Sequence, residues 1–99
     1  MNVMMVRAKV KPESASEAEA ATRRMFSALN EARPVGVHYA SCKLADGVTF
    51  VALVALEDPA NNPLPSIPEW VAFQESLEAW RAAPPAFEQL TVVGSYGFF

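Results

Sequence analysis

One histidine, two tyrosines, one cysteine and an aromatic stripe hold most of the chemistry available to this 99-residue chain. His38 is the only side chain whose ordinary pKa lies near neutrality. As a general base it would remove a proton from a bound substrate. The plain alternative is a histidine at a subunit edge, hydrogen-bonded to backbone. Asn61-Asn62 sit in a proline-rich loop. An asparagine there could stabilise an oxyanion, or it could simply form a turn. His38 and Asn62 are therefore the catalytic candidates. Trp70, Phe73, Leu77 and Trp80 recur at three- and four-residue steps. Such a stripe is either core or the wall of a pocket for a flat ligand. Tyr39 and Tyr96 carry hydroxyls that need partners when buried, and they complete the set of pocket candidates. Cys42 reads as a small buried hydrophobe, since a nucleophilic thiol would need a base beside it. Arg7 interrupts an apolar strand and would need pairing if that face were covered.

Several function classes are excluded. The sequence shows no nucleophile triad and no phosphate-binding glycine loop. One histidine and one cysteine will not build a zinc site, so no metal and no cofactor is expected. The net charge is −3, and the eight basic residues are scattered, with only Arg23-Arg24 adjacent. Nucleic-acid binding would want a basic stripe. A lone cysteine forms no internal disulfide, which fits a reducing compartment. The apolar opening is too short for a signal peptide, and no apolar run approaches the ~20 residues that span a bilayer. The expectation is a soluble cytoplasmic protein that binds neither nucleic acid nor membrane.

Residues 1–99 read as a single domain. Asn2 to Lys11 alternates as a strand, with Met4, Val6, Ala8 and Val10 on one face and Val3, Met5, Arg7 and Lys9 on the other. Glu13 to Ala32 reads as a helix, with a capping-box spacing at Ser14–Glu17 and an apolar stripe through Ala18, Ala21, Met25 and Leu29. Val35 to Leu44 and Val48 to Leu56 flank an Asp46-Gly47 hairpin turn. A second capping-box spacing, Ser66–Glu69, opens a helix from Ile67 to Arg81, and Leu90 to Phe99 reads as the last strand. The order βαββαβ is the ferredoxin-like α+β arrangement, a four-stranded antiparallel sheet with two helices on one face.

The run V-T-F-V-A-L-V-A-L, Val48 to Leu56, is apolar on both alternating faces, so both faces of its sheet should be covered. Two helices cover only one. Apolar residues make up 52% of the chain against 19% charged, an excess that points to a subunit contact. A homodimer with its open sheet faces packed together is expected.

At this level the chain resembles the dimeric α/β-barrel superfamily, and within it the antibiotic-biosynthesis-monooxygenase-like group. The resemblance covers nearly the whole length as architecture, with Trp70…Leu77…Trp80…Phe87 as its best local match. It implies sheets paired as a dimeric α/β barrel and a ligand pocket between helices and sheet. Members include cofactor-independent oxygenases of polyphenols and quinols and haem-degrading enzymes. The haem-degrading branch carries an iron-ligating histidine near the end of this segment. Here the stretch is Phe87-Glu88-Gln89-Leu90, without one. The function implied is a cofactor-independent monooxygenase acting on a small flat phenolic or quinone-like molecule. The alternative is a non-catalytic dimeric module that binds a small aromatic ligand or a partner.

Overall fold

The computed structural model describes residues 2–99. The strands are β1 (Asn2–Lys9), β2 (Val37–Lys43), β3 (Thr49–Leu56) and β4 (Ala86–Thr91), and the helices are α1 (Ala15–Ala32) and α2 (Pro68–Trp80). They follow one another as β1-α1-β2-β3-α2-β4. The sheet order is β2-β3-β1-β4 with every pair antiparallel. This is the expected ferredoxin-like α+β fold.

The register divides the sheet into two faces, because side chains alternate along each strand. Val6 pairs with Ala52 and Phe87, and Ala52 pairs with Ser41. This row and its even-numbered neighbours on β1 and β3 meet the helices. Val10 packs with Ala18, Ala21 and Trp80 in one cluster. Met25, Leu29, Leu64 and Ile67 form another, against Val37, Tyr39 and Val54. The stripe of α1 is the reason that helix lies on the sheet: its buried residues are Ala18, Ala21, Met25 and Leu29. Arg33 ends α1 in the left-handed region at φ 49°, its N–H donating to Leu29 O at 2.8 Å.

Neither capping box forms. Ser14 has helical angles, φ −99° and ψ −6°, because a 3-10 turn over Pro12–Ser14 runs straight into α1. A capping serine needs extended angles. At α2 the first residue is Pro68, which has no N–H for Ser66 to accept and whose φ is already helical. Ser66 Oγ donates instead to Pro63 O at 2.6 Å.

The last strand is also displaced from its expected Leu90–Phe99 to Ala86–Thr91. Its last residue, Thr91, pairs with Asn2 of β1. Tyr96 consequently lies on no strand.

On the face away from the helices, Val3 and Ala55 are nonetheless buried, at 2% and 0% exposure. They lie in one row, Leu90–Val3–Ala55–His38. The segment after β4 leaves beside Asn2 at one sheet edge and ends with the Phe99 ring 6.4 Å from the His38 ring at the other. It therefore spans the width of the sheet at this row. Farther along the same face, Met5, Val51 and Leu53 are half-buried, and Arg7, Ala40 and Cys42 are exposed.

Candidate functional site

Between helices and sheet lies a cavity of about 210 Å³. Its floor comes from the helix-facing row of the sheet: Val6, Ala8, Phe50 and Ala52, with Tyr39 and Ser41 from β2. Ala18, Thr22 and Met25 of α1 and Phe73 and Leu77 of α2 form its roof. Its mouth is at the β4 side, where the exposed Gln74, Glu78 and Phe87 join Arg81. The space exists because small residues, Ala8, Ala18 and Ala52, stand where larger ones would meet across the layers. The volume lies below the roughly 300–1,000 Å³ of pockets for drug-sized ligands, so it suits a molecule of one or two rings.

The walls are apolar, and the polar groups gather at two ends. Tyr39, Ser41 and Thr22 supply hydroxyls near the α1–β2 side. Thr22 Oγ1 donates to Ala18 O at 2.8 Å, which leaves its lone pairs free to accept. Burial pushes the Tyr39 phenol above its usual pKa of 10.0, and the nearby Trp70 indole N–H works weakly in the opposite sense. At neutral pH Tyr39 is therefore a hydrogen-bond donor rather than a base. Its ring meets Phe26 edge to face, with centroids 4.9 Å apart. At the mouth, Arg81 and Glu78 form an ion pair with nitrogen and oxygen 3.0 Å apart.

Of the residues picked out by sequence, Tyr39, Phe73 and Leu77 line this cavity. Trp80 stands behind Phe73, ring centroids 6.1 Å apart, within the core. Trp70 packs on the cluster around Met25 and Leu29. Tyr96 is 98% exposed in the segment after β4. His38 lies on the opposite face of the sheet, its Nε2 3.5 Å from Glu57 Oε2. Asn62 is exposed, and its Oδ1 accepts the Leu64 N–H at 3.0 Å, an Asx-type turn. It shares a shallow surface hollow with Gly36, Glu57 and Asn61. The structure thus does not bring His38 and Asn62 to the cavity. Cys42, exposed beside Val51, is not the buried hydrophobe its sequence context suggested.

Glu57 as the partner of His38 escaped the sequence reading, although the hairpin carried the signal. The Asp46-Gly47 turn fixes His38 opposite Ala55. Glu57, two residues on, is then its diagonal neighbour on the same face. Thr22, Ser41 and Arg81 carry no such local signal, since elements far apart in sequence bring them together. Among the described residues, no group of three or more His, Cys, Asp or Glu side chains is placed to hold a metal ion. Nor, among them, is any helix long and apolar enough to cross a membrane.

Similar solved structures repeat this architecture. A Nitrosomonas europaea protein provisionally named an antibiotic biosynthesis monooxygenase superposes with a TM-score of 0.79, covering 95% of this chain and 100% of its own at 19% identity. SnoaB, a cofactor-independent oxygenase from Streptomyces nogalater, does so at 0.70, with 97% and 96% covered and 17% identity. The chain has the fold of the antibiotic-biosynthesis-monooxygenase-like proteins. Rv0793 from Mycobacterium tuberculosis shares that fold at a TM-score of 0.71, with 95% and 96% covered and 15% identity. No family model and no curated protein matches the sequence. The shared fold includes the layer between helices and sheet in which the cavity lies.

Proposed function

We propose that this protein is a small oxygenase that takes a flat phenolic or quinone-like molecule into the cavity between helices and sheet. The observation that carries the reading is the cavity itself: apolar walls from Phe50, Phe73 and Leu77, with the hydroxyls of Tyr39, Ser41 and Thr22 at one end. Flat aromatic ligands need such walls, and a few placed hydroxyls orient their oxygens. The fold is shared with a protein named as a cofactor-independent oxygenase, and the chemistry proposed here also uses no cofactor. A hydroquinone and one O2 become a hydroxyquinone and one water. The quinol supplies all four electrons, two by oxidation to the quinone and two as a ring C–H becomes C–OH. The Tyr39 O–H donates to the substrate oxygen, on which charge develops as its proton leaves. Glu78, the only carboxylate among the described lining residues, sits at the mouth, at the other end of the cavity. His38 and Asn62, away from the cavity, take no part in this reading.

The second reading is a binding module without turnover. It is favoured by one observation: the groups at the hydroxyl end are all neutral donors and acceptors, and no base stands beside them. Oxygen uptake with a panel of hydroquinones in air separates the two. Turnover with one atom of labelled O2 in the hydroxyquinone and one in water supports the oxygenase. Saturable binding without oxygen uptake supports the module, and neither binding nor uptake removes both.

The assembly proposed is a homodimer through the face bearing Met5, Leu53 and Val51, so that two sheets pair as a barrel. The apolar row left half-buried in one chain supports it. Light scattering should give about twice the 10.8 kDa chain mass, and a monomer at all concentrations would refute it. The free, exposed Cys42 suits a reducing compartment, the cytoplasm.

A further inference from the structure

We propose that the ligand of this cavity is an anion, an aromatic carboxylic acid whose carboxylate is held by Arg81. The inference rests on the cavity being the ligand site and names the class of molecule it takes. Among the described residues that line the cavity, Arg81 is the only cation and Glu78 the only anion. The two differ in setting: the Arg81 side chain is 35% exposed and that of Glu78 is 74% exposed. The guanidinium belongs to the cavity rim, and the glutamate reaches it from solvent. An exposed i,i+3 pair of this kind is weak. A carboxylate entering from the cavity is less solvated, and the planar guanidinium fork can hold both its oxygens at once. Glu78 is then displaced toward water at little cost.

The Arg81 backbone is fixed. Its N–H donates to Leu77 O at 3.0 Å, closing α2, and the residue bridges to Val10 beyond the end of β1. On either side, Lys11 N–H donates to Trp80 O at 2.8 Å and Ala82 N–H to Lys9 O at 2.7 Å. The cation is therefore attached to a rigid corner of the sheet, so little freedom is lost on binding. At the far end the groups are Tyr39, Ser41 and Thr22, all uncharged. The next cation on that side, Lys43, lies outside the lining and is bound to Glu19 at 3.1 Å. A ligand that satisfies both ends has a flat apolar body, a carboxylate at the Arg81 end and a hydroxyl or carbonyl at the other. Phenolic acids have this form.

The test titrates hydroxynaphthoate, the matching hydroxynaphthamide and naphthol into the full chain by calorimetry. The acid should bind about tenfold or more tightly than the amide, the gain expected from a charge-assisted hydrogen bond to arginine. Arg81→Gln should abolish that preference while leaving naphthol binding in place. Arg81→Lys, which keeps the charge without the fork, should retain part of it. Glu78→Gln should strengthen acid binding by freeing the guanidinium. Equal affinity for acid and amide in the wild type, or a preference that survives Arg81→Gln, would overturn the proposal while leaving the cavity as a ligand site. Binding of none of the three probes would overturn both.

Discussion

Substituting Ala52 by leucine tests whether the space between helices and sheet is real and is where ligand enters. Ala52 lies on β3 between Val6 and Ser41, on the cavity floor. Leucine adds three carbons that would otherwise meet water or nothing. At ~0.8 kcal/mol per buried methylene, a complete fit would stabilise the fold by about 2 kcal/mol, and a partial fit by about 1 kcal/mol. A gain of 1–2 kcal/mol raises Tm by roughly 5–10 °C in a domain of this size. Were the layers closed at this point, the same carbons would overpack them and cost about 1–3 kcal/mol. The two cases thus differ in sign. Urea denaturation followed by tryptophan fluorescence reads the change, with an unchanged m-value as the check on a common unfolding reaction. Binding of a two-ring aromatic should be lost in the same variant. Ala20→Leu is the control: it adds the same atoms at an exposed position of α1, away from the cavity and from the open sheet face, where the expected change stays within about 0.5 kcal/mol and ligand binding is intact. A destabilised Ala52→Leu protein that still binds the aromatic would refute the placement of the site.

Three further outcomes follow from named contacts. Burial raises the Tyr39 pKa, so the folded chain keeps a proton that the unfolded chain begins to lose near pH 10. That contribution to stability is whole below pH 10 and is lost as pH rises through the folded value. Wild type should therefore lose stability more steeply than Tyr39→Phe in urea melts run from pH 9 to 11, and parallel curves would contradict the burial of the phenol. Gly36→Ala places a β-carbon 3.3 Å from Glu57 Cβ at φ +76°. It should cost about 1–2 kcal/mol for the left-handed backbone alone, seen as a lower Tm. Met25→Ala empties a site that is 1% exposed and should cost about 2–5 kcal/mol, a large share of the ~5–15 kcal/mol typical of a whole domain, so denaturant midpoints should fall sharply.

The elements whose signals are local were legible in the sequence. The Asp46-Gly47 turn is one: Asp46 accepts from Val48 N at 3.0 Å, Thr49 N at 2.9 Å and Thr49 Oγ1 at 2.6 Å, and these bonds hold its carboxyl below the usual range. The stripe of α1 and the two-sided β3 are others, because periodicity reports burial directly. What failed depended on partners. Leu90 to Phe99 alternates like a strand, yet β4 pairs with β1 only as far as Thr91, opposite Asn2. Ser14 and Ser66 have capping spacing, yet neighbouring prolines had already set the helix starts. The candidate site was half legible. Phe73 and Leu77 follow from the α2 stripe, but Arg81 stands just past its end, and Thr22 and Ser41 read only as ordinary polar residues until α1 and β2 are packed together.

The small residues of the cavity floor are the strongest reason to expect a ligand. Leaving a space costs up to ~24 cal/mol per Å³, which for about 210 Å³ is roughly 5 kcal/mol as an upper bound, since water can enter at the open mouth. One leucine in place of Ala52 or Ala8 would recover part of that. The same strands place bulky Phe50 and Val54 on the same face, two residues to either side of Ala52, so large residues are accommodated there. Nor is apolar content short in a chain that exposes Val93 and Val35 elsewhere. A fold that carries apolar surplus on its outside and omits it from one interior space, with Arg81 at the rim and three hydroxyls at the far end, has the distribution expected when the missing volume is supplied by a bound molecule.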